Sequence, residues 1–322
     1  MFAAYAARTD RDAPLNGLEL GERPEPEVPP GWTVIDVRAA SINHHDLWSL
    51  RGVGLGDEQL PMILGCDAAG VDADGNEVVV HGVVGQSGHG VDARETPTIL
   101  TEKYQGTFAE RVAVPQWNVL PKPSGITFEE AACLPTAWLT AYRMLFTRAR
   151  ARPGQSVLVQ GAGGGVATAA IVLGAAAGVR VFATSRDEAK RARARVLGAE
   201  DAFETGARLP RRVDVVLETV GAATWSHSVK SLRPGGTLVV AGATTGPDPQ
   251  NAELNRILFQ QLNVLGSTMG TRDELADLLN FCATTGVRPL IDSVLPLTRA
   301  RDGLAKMAAG ELLGKLVLTP QQ

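Results

Sequence analysis

Short apolar runs alternate with helical patterns through the second half of the chain. The segments 156–161 (SVLVQG), 179–185 (VRVFATS), 213–219 (VDVVLET), 237–242 (TLVVAG) and 263–268 (NVLGST) are compact and rich in β-branched residues, as buried strands are. Between the first two lies 166–178 (VATAAIVLGAAAG), a helix of small residues. The stretch 187–198 (DEAKRARARVLG) reads as an amphipathic helix closed by a glycine. Strands alternating with helices predict parallel βαβ units with right-handed crossovers, hence a doubly wound α/β domain. A further helix is predicted at 274–286, then short strands at 293–297 and 315–320.

The first 120 residues carry a different pattern. Apolar runs at 32–37, 77–84 and 108–114 are separated by Gly- and Pro-rich stretches, which predicts a β-rich domain. The segment 127–146 turns helical and is interrupted at Pro135. With 322 residues, two domains are expected. The boundaries fall at 1–120 (first β-rich segment), 121–267 (dinucleotide-type domain) and 268–322 (a return to the first domain).

Composition narrows the function classes. The net charge of −4 gives no reason to expect nucleic acid or an acidic membrane as partner. Cys66, Cys133 and Cys282 form no CxxC pair and no disulfide framework, which suits a reducing cytoplasm. The low-charge stretch 156–184 is long enough for a membrane span, but its glycine cluster and Arg180 favour a buried βαβ unit. The charged N-terminal stretch has no apolar core of the kind a signal peptide needs. A cytoplasmic enzyme acting on a small molecule is the expectation.

The first chemical signal is Gly161-Ala162-Gly163-Gly164-Gly165-Val166-Ala167, between a predicted strand and a predicted helix. Glycines let a diphosphate approach the backbone, and the helix start offers free N–H groups and a favourable dipole. The end of the next strand should read the adenosine ribose. Where NAD-specific chains usually carry an acid, this one has Thr184-Ser185-Arg186, with Lys190 a helical turn on. Ser185, Arg186 and Lys190 suit a 2′-phosphate, so NADPH is the expected cofactor. Asp187 is expected in the first turn of the helix.

Several segments, in order, resemble the medium-chain dehydrogenase/reductase superfamily, in particular its zinc-free quinone oxidoreductase-like branch. They are SINHHDLWSLRG, LPMILGCDAAG, GTFAERVAVP, LPTAWLTAY, GAGGGVATAA, LRPGGTLVVAG, GSTMG and GKLVL. The resemblance implies a Rossmann sheet inserted into a GroES-like β-rich catalytic domain, with the active site in the cleft between them. It adds Thr140, Gly242, Ala243, Ser267, Met269 and Lys315 to the cofactor-binding set. It also implies a homodimer paired through the edge strand 263–268.

Zinc-dependent relatives hold a catalytic metal with Cys, His and Cys. The matching positions here are Asn43, Cys66 (followed by Asp67) and Thr136, so no metal is expected. The lobe that carries a structural zinc in those relatives is also lacking, for 85–107 contains no cysteine. Asn43 has two readings: an amide that donates to a substrate carbonyl oxygen, or a tie within a tight loop. His44 matches a cofactor-phosphate position and His45 a proton-relay position, and either also reads as a loop histidine. Trp48 reads as an apolar wall for a flat substrate. The function so implied is reduction of quinones or other α,β-unsaturated carbonyls by NADPH. The rivals are an enoyl-thioester or alkenone reductase, a zinc alcohol dehydrogenase, and a non-catalytic NADPH-binding sensor.

Overall fold

The computed structural model describes residues 1–85 and 98–320. Most of the cysteine-free stretch discussed above, 86–97, lies outside them. Two compact units emerge: residues 1–139 with 269–322, and residues 140–268.

In the second unit six strands form one parallel sheet. Their order is Asp201–Phe203, Arg180–Thr184, Ser156–Val159, Val213–Glu218, Leu232–Val240, Asn263–Gly266. The first strand in sequence lies inside the sheet, and the chain winds outward from it in both directions. This is the doubly wound Rossmann order, which opens a ligand crevice where the winding reverses. The strands are buried on both faces, which explains why they read as apolar runs rather than alternations. Helix Gly165–Ala176 follows the glycine loop and buries Ala167, Ala169, Ala170, Ile171 and Leu173. Asp187 is the N-cap of helix Glu188–Val196 rather than part of its first turn; its carboxylate accepts the Lys190 N–H.

The first unit is built on strand Trp32–Ser41. It pairs with Ala68–Asp72, Arg111–Pro115 and the C-terminal strand Lys315–Thr319, all antiparallel. Ile291–Pro296 adds a parallel edge beside Lys315–Thr319. The core mixes N-terminal residues such as Ile35, Ile42, Leu64 and Phe108 with Leu304, Leu316 and Leu318 from the chain's end. The C-terminal segment thus completes the first unit.

The first domain boundary, expected after residue 120, lies instead at Leu139/Thr140. Strand Val119–Pro121 pairs with Glu77–Val80, and helix Phe128–Ala132 packs on strands of the same unit. Their apolar faces are already used there, so the chain leaves the unit only afterwards. That helix starts at a reciprocal cap: the Glu130 N–H donates to Thr127 Oγ1 and the Thr127 N–H to Glu130. The expected break at Pro135 appears as a π-helical stretch, Leu134–Trp138. The second boundary, Thr268/Met269, lies one residue beyond the expected 267.

Candidate active site

Strand Trp32–Ser41 is followed by Ile42, and Asn43 is the N-cap of helix His44–Leu50. The Asn43 N–H donates to Asp46 Oδ2 at 2.7 Å, and the Gly65 N–H donates to Asp46 Oδ1 at 3.1 Å. Asp46 thereby ties the helix start to the turn carrying Cys66 and Asp67. Gly65 sits at φ +88°, and a Cβ there would meet Phe108 at 2.3 Å, so only glycine fits this turn.

At this junction lies a buried polar cluster. The Asn43 amide nitrogen donates to Asp67 Oδ2 at 2.8 Å and to the Ser41 carbonyl at 3.3 Å, with Cys66 Sγ at 3.8 Å. Ser41 donates to the same Asp67 oxygen at 2.7 Å. Thr136 donates to Asp67 Oδ1 at 2.5 Å, and its hydroxyl lies 3.4 Å from Cys66 Sγ. The Lys315 ammonium donates to Asn43 Oδ1 at 2.6 Å and to the Ile42 carbonyl at 2.8 Å, and stands 3.5 Å from Asp67 Oδ2. Asp67 is fully buried and the Lys315 side chain is 3% exposed.

This geometry revises two expectations. Lys315, assigned to cofactor binding, has its ammonium spent inside the first unit. Asn43, proposed as a donor to substrate, has its amide hydrogens directed at Asp67 and Ser41. The loop-tie reading of Asn43 is the one its hydrogen bonds match.

The same cluster tests whether the residues fit zinc. Asn and Thr are poor zinc ligands, and a thiol must ionise to bind the metal. Burial, reinforced by the Asp67 charge, pushes the Cys66 thiol well above its ordinary range. A fixed ammonium already sits against the first of the three positions. The residues therefore do not fit zinc. No group of three metal-binding side chains occurs among the described residues.

Burial also pushes the Asp46 carboxyl up to about 7, with the Asp67 charge adding to it and the Asn43 N–H opposing it. A carboxyl raised in the folded state takes up a proton on folding. Stability then falls as pH rises from the ordinary carboxylate range to about 7, and levels off above it. The full slope for one such group is about 1.4 kcal/mol per pH unit. Asp46→Asn should flatten the pH dependence of urea unfolding between about pH 4 and 7. An unchanged slope would remove Asp46 as its source.

Of the other expected residues in this unit, His44 is exposed, while His45 and Trp48 are half-buried. His45 Nε2 lies 2.9 Å from Thr101 Oγ1. Burial holds the His45 imidazole below its ordinary value, against the opposing charges of Glu102 and Asp67. Met269 packs half-buried against the first unit's core.

In the second unit the glycine loop leaves strand Ser156–Val159 with Gly161 at φ +75° and Gly163 at φ +134°. A Cβ on Gly163 would lie 2.7 Å from Lys190 Cδ, so the lysine stem crosses the loop. Gly164 is the N-cap of the following helix, no side chain caps it, and a Cβ there would meet nothing within 4 Å. An uncapped helix start with open space before it fits a diphosphate. Ser267 Oγ is buried and has no hydrogen-bond partner among the described residues, a further sign of a ligand-facing group. Thr140 is buried, and Gly242 and Ala243 lie in the turn after strand Leu232–Val240. Ser185 and Arg186 follow strand Arg180–Thr184, Ser185 buried and Arg186 exposed.

Sequence reasoning missed the residues that brace this edge. The Arg191 guanidinium donates to the Ser185 carbonyl at 2.6 Å and pairs with Glu188. Thr184 donates to Gln160 Oε1 at 2.5 Å, and Gln160 donates to Ser228 at 2.9 Å. Glu218 accepts from the N–H groups of Val220 and Gly221 and from the hydroxyls of Thr224 and Ser228. The available signal was a polar residue, Gln160 or Glu218, closing an otherwise apolar strand.

A doubly wound parallel sheet with a glycine turn ahead of its first helix has the frame of a nucleotide-binding domain, and the β-rich unit carries the buried polar cluster. Residues 29–124 match the alcohol dehydrogenase GroES-like domain family, and residues 165–284 match the zinc-binding dehydrogenase family. A solved NAD-dependent alcohol dehydrogenase is 32% identical, with 100% of each chain covered and a TM-score of 0.91. The synaptic vesicle membrane protein VAT-1 homolog of Mus musculus is 29% identical, covering 94% of this chain and 80% of its own. The acryloyl-coenzyme A reductase of Sulfurisphaera tokodaii is 26% identical, covering 95% of this chain and 98% of its own. The chain belongs to the medium-chain dehydrogenase/reductase superfamily. No helix among the described residues is long and apolar enough to cross a membrane.

Proposed function

We propose that this protein is a zinc-free, NADPH-dependent reductase of quinones and other α,β-unsaturated carbonyls. The observation that carries the reading is the Lys315–Asn43–Asp67 cluster, in which Asn43, at the first metal-ligand position, is engaged by an ammonium and a buried carboxylate. When bound, the nicotinamide supplies the hydride. The loop from Gly161 to Gly164 and the helix start at Gly165 and Val166 hold the diphosphate. Ser185 and Arg186 hold the 2′-phosphate, with the Lys190 stem lying across the loop. With no fitting metal ligands and the Asn43 amide engaged internally, the protein offers weak polarisation of a carbonyl. The acceptor must then spread the developing charge through its own conjugation, as quinones and enones do. His45, paired with Thr101, holds an exchangeable proton, and Trp48 supplies an apolar wall. The likeness to an acryloyl-coenzyme A reductase makes enoyl thioesters the second acceptor class to assay.

NADPH oxidation should be measurable with a quinone or an enone, and negligible with acetaldehyde or acetone. NADPH should bind about 10–150-fold more tightly than NADH, because a charge-assisted hydrogen bond contributes about 1.5–3 kcal/mol. Arg186→Ala should remove most of that preference. Alcohol or simple ketone turnover without quinone or enone reduction overturns the substrate reading, and equal affinities for the two cofactors overturn the NADPH reading.

A cytoplasmic homodimer is part of the same proposal. Strand Asn263–Gly266 is the last of its sheet; Val264 on it and Leu254, Leu258 and Phe259 of the helix just before it in sequence, Leu254–Phe259, are exposed. An apolar edge strand invites pairing with a second copy across a two-fold axis. Leu258→Asp with Phe259→Asp should shift the light-scattering mass from dimer to monomer. A monomeric unmodified protein at micromolar concentration overturns the dimer.

A further inference from the structure

Each half of a doubly wound dinucleotide-binding sheet takes one half of the cofactor, and the two halves meet where the winding reverses. Here the reversal lies between strands Ser156–Val159 and Val213–Glu218. We propose that Gln160, Ser228 and Glu218 form a buried bridge across it that holds the two halves of the cofactor crevice in register. They are positioning residues, fully buried and acting through the loops they fix. The proposal rests on the binding of a nicotinamide dinucleotide at this crevice, and is independent of the choice between NADPH and NADH.

On one side the bridge holds the adenosine end. Gln160 directly precedes Gly161, and its Oε1 accepts from the Thr184 hydroxyl at 2.5 Å. Thr184 directly precedes Ser185 and Arg186, and its carbonyl accepts from the Ala162 N–H at 2.7 Å. The Gln160 amide nitrogen donates to His227 Nδ1 at 2.8 Å and to Ser228 Oγ at 2.9 Å. His227 Nε2 faces the Ala207 carbonyl at 2.9 Å, so that nitrogen carries the proton and Nδ1 is the acceptor. Both amide hydrogens and the carbonyl oxygen of Gln160 are thus committed.

On the other side it holds the turns after the next two strands. Glu218 Oε2 accepts from Ser228 at 2.5 Å and from Thr224 at 2.8 Å. Glu218 Oε1 accepts from the N–H groups of Val220 at 2.7 Å and Gly221 at 3.0 Å. This turn is bonded in turn to the one that carries Gly242 and Ala243. The Thr245 N–H donates to the Val220 carbonyl at 2.8 Å, and the Ala222 N–H to the Gly246 carbonyl at 3.0 Å. Gly221, at φ +93°, lets the two turns close, since a Cβ there would lie 2.7 Å from Ala243 Cα. Hydrogen bonds therefore run across adjacent strand ends from the Ser185 side of the crevice to the Ala243 side.

Packing alone does not call for this set. Four donors and no cation surround the Glu218 carboxylate among the described residues. Burying such a group is costly, and an apolar residue would close the strand with less loss. What the polar set adds is direction, because each bond fixes a loop end in distance and angle. Strand pairing between the two halves ends at Val159 and Leu217, followed by the Gln160 N–H on the Leu217 carbonyl at 3.2 Å. Beyond that point Ser228 makes the connection.

The test uses the full chain and Ser228→Ala, which cuts the bridge at one point. Alanine is smaller than serine and a better helix former, so the fold should hold. Gln160 keeps Thr184 and His227, and Glu218 keeps Thr224 and both N–H groups. Near-ultraviolet circular dichroism checks the fold. Titration gives the affinities for NADPH and NADH and for their adenosine halves, 2′,5′-ADP and AMP. An intact dinucleotide must meet both halves of the crevice at once, whereas its adenosine half needs only one. The expected result is that Ser228→Ala weakens the tighter-binding dinucleotide about 10-fold, the equivalent of one hydrogen bond, and its adenosine half by less than about twofold. Glu218→Gln, which puts an NH₂ group where Ser228 and Thr224 now donate, should show the same split.

Unchanged dinucleotide affinity in Ser228→Ala overturns the proposal. So does equal weakening of the dinucleotide and its adenosine half, or loss of folding in Ser228→Ala, since the set would then serve the fold alone. The underlying reading fails separately, if the unmodified protein binds neither NADPH nor NADH.

Discussion

Lys315→Met should lower the stability of the protein by about 3–5 kcal/mol, the usual cost of removing one partner from a buried ion pair. Methionine matches the length of the lysine stem, so the loss is one of charge and hydrogen bonds rather than of packing. Asp67 is fully buried, and without Lys315 it keeps only neutral donors from Ser41, Asn43 and Thr136. Asn43 Oδ1 and the Ile42 carbonyl lose their donor as well. Lys315→Arg retains the charge and should lose less, the residue being the strain of fitting a planar guanidinium. Urea unfolding monitored by tryptophan fluorescence reads the difference. A loss below about 1 kcal/mol for Lys315→Met would place the pair in the range of exposed salt bridges and remove its structural role.

Gly163→Val should weaken NADPH and NADH binding alike by about 100-fold or more while leaving the fold intact. Gly163 has φ +134°, a conformation essentially closed to a β-branched residue, and holding one there costs about 1–3 kcal/mol. Its Cβ would also strike Lys190 Cδ, displacing the stem that crosses the loop. The added side chain stands where a diphosphate must approach backbone N–H groups. The outcome differs in kind from Arg186→Ala, which should affect only the cofactor bearing a 2′-phosphate. Cofactor fluorescence titration measures both. A change of less than about threefold would mean that the loop does not hold the diphosphate.

The strand–glycine loop–helix segment was legible because it is local. The strand, glycine loop, helix and second strand are contiguous, and each segment's conformation follows from its own residues. Gly161 and Gly163 do take positive φ, and Ser185 and Arg186 do follow the second strand. What was missed there, Arg191 on the Ser185 carbonyl and Gln160 on Thr184, depends on which strand ends become neighbours. The domain boundary was placed too early for a related reason. Composition changes after residue 120, but helix Phe128–Ala132 finds its apolar partner among earlier strands, and burial rather than composition decides where a unit ends.

The sequence by itself determined the class of fold, the glycine turn between strand and helix, and the poor match of Asn43 and Thr136 to zinc ligation. Each of these depends on short-range pattern or on residue type. Only the tertiary structure decided what Lys315 and Asn43 do. Lys315 is separated from Asn43 by 272 residues, and no periodicity or spacing connects them. Antiparallel pairing of Lys315–Thr319 with the end of Trp32–Ser41 brings the ammonium to the start of helix His44–Leu50. Burial then makes the pairing of Lys315 with Asp67 obligatory, since neither charge has water to turn to.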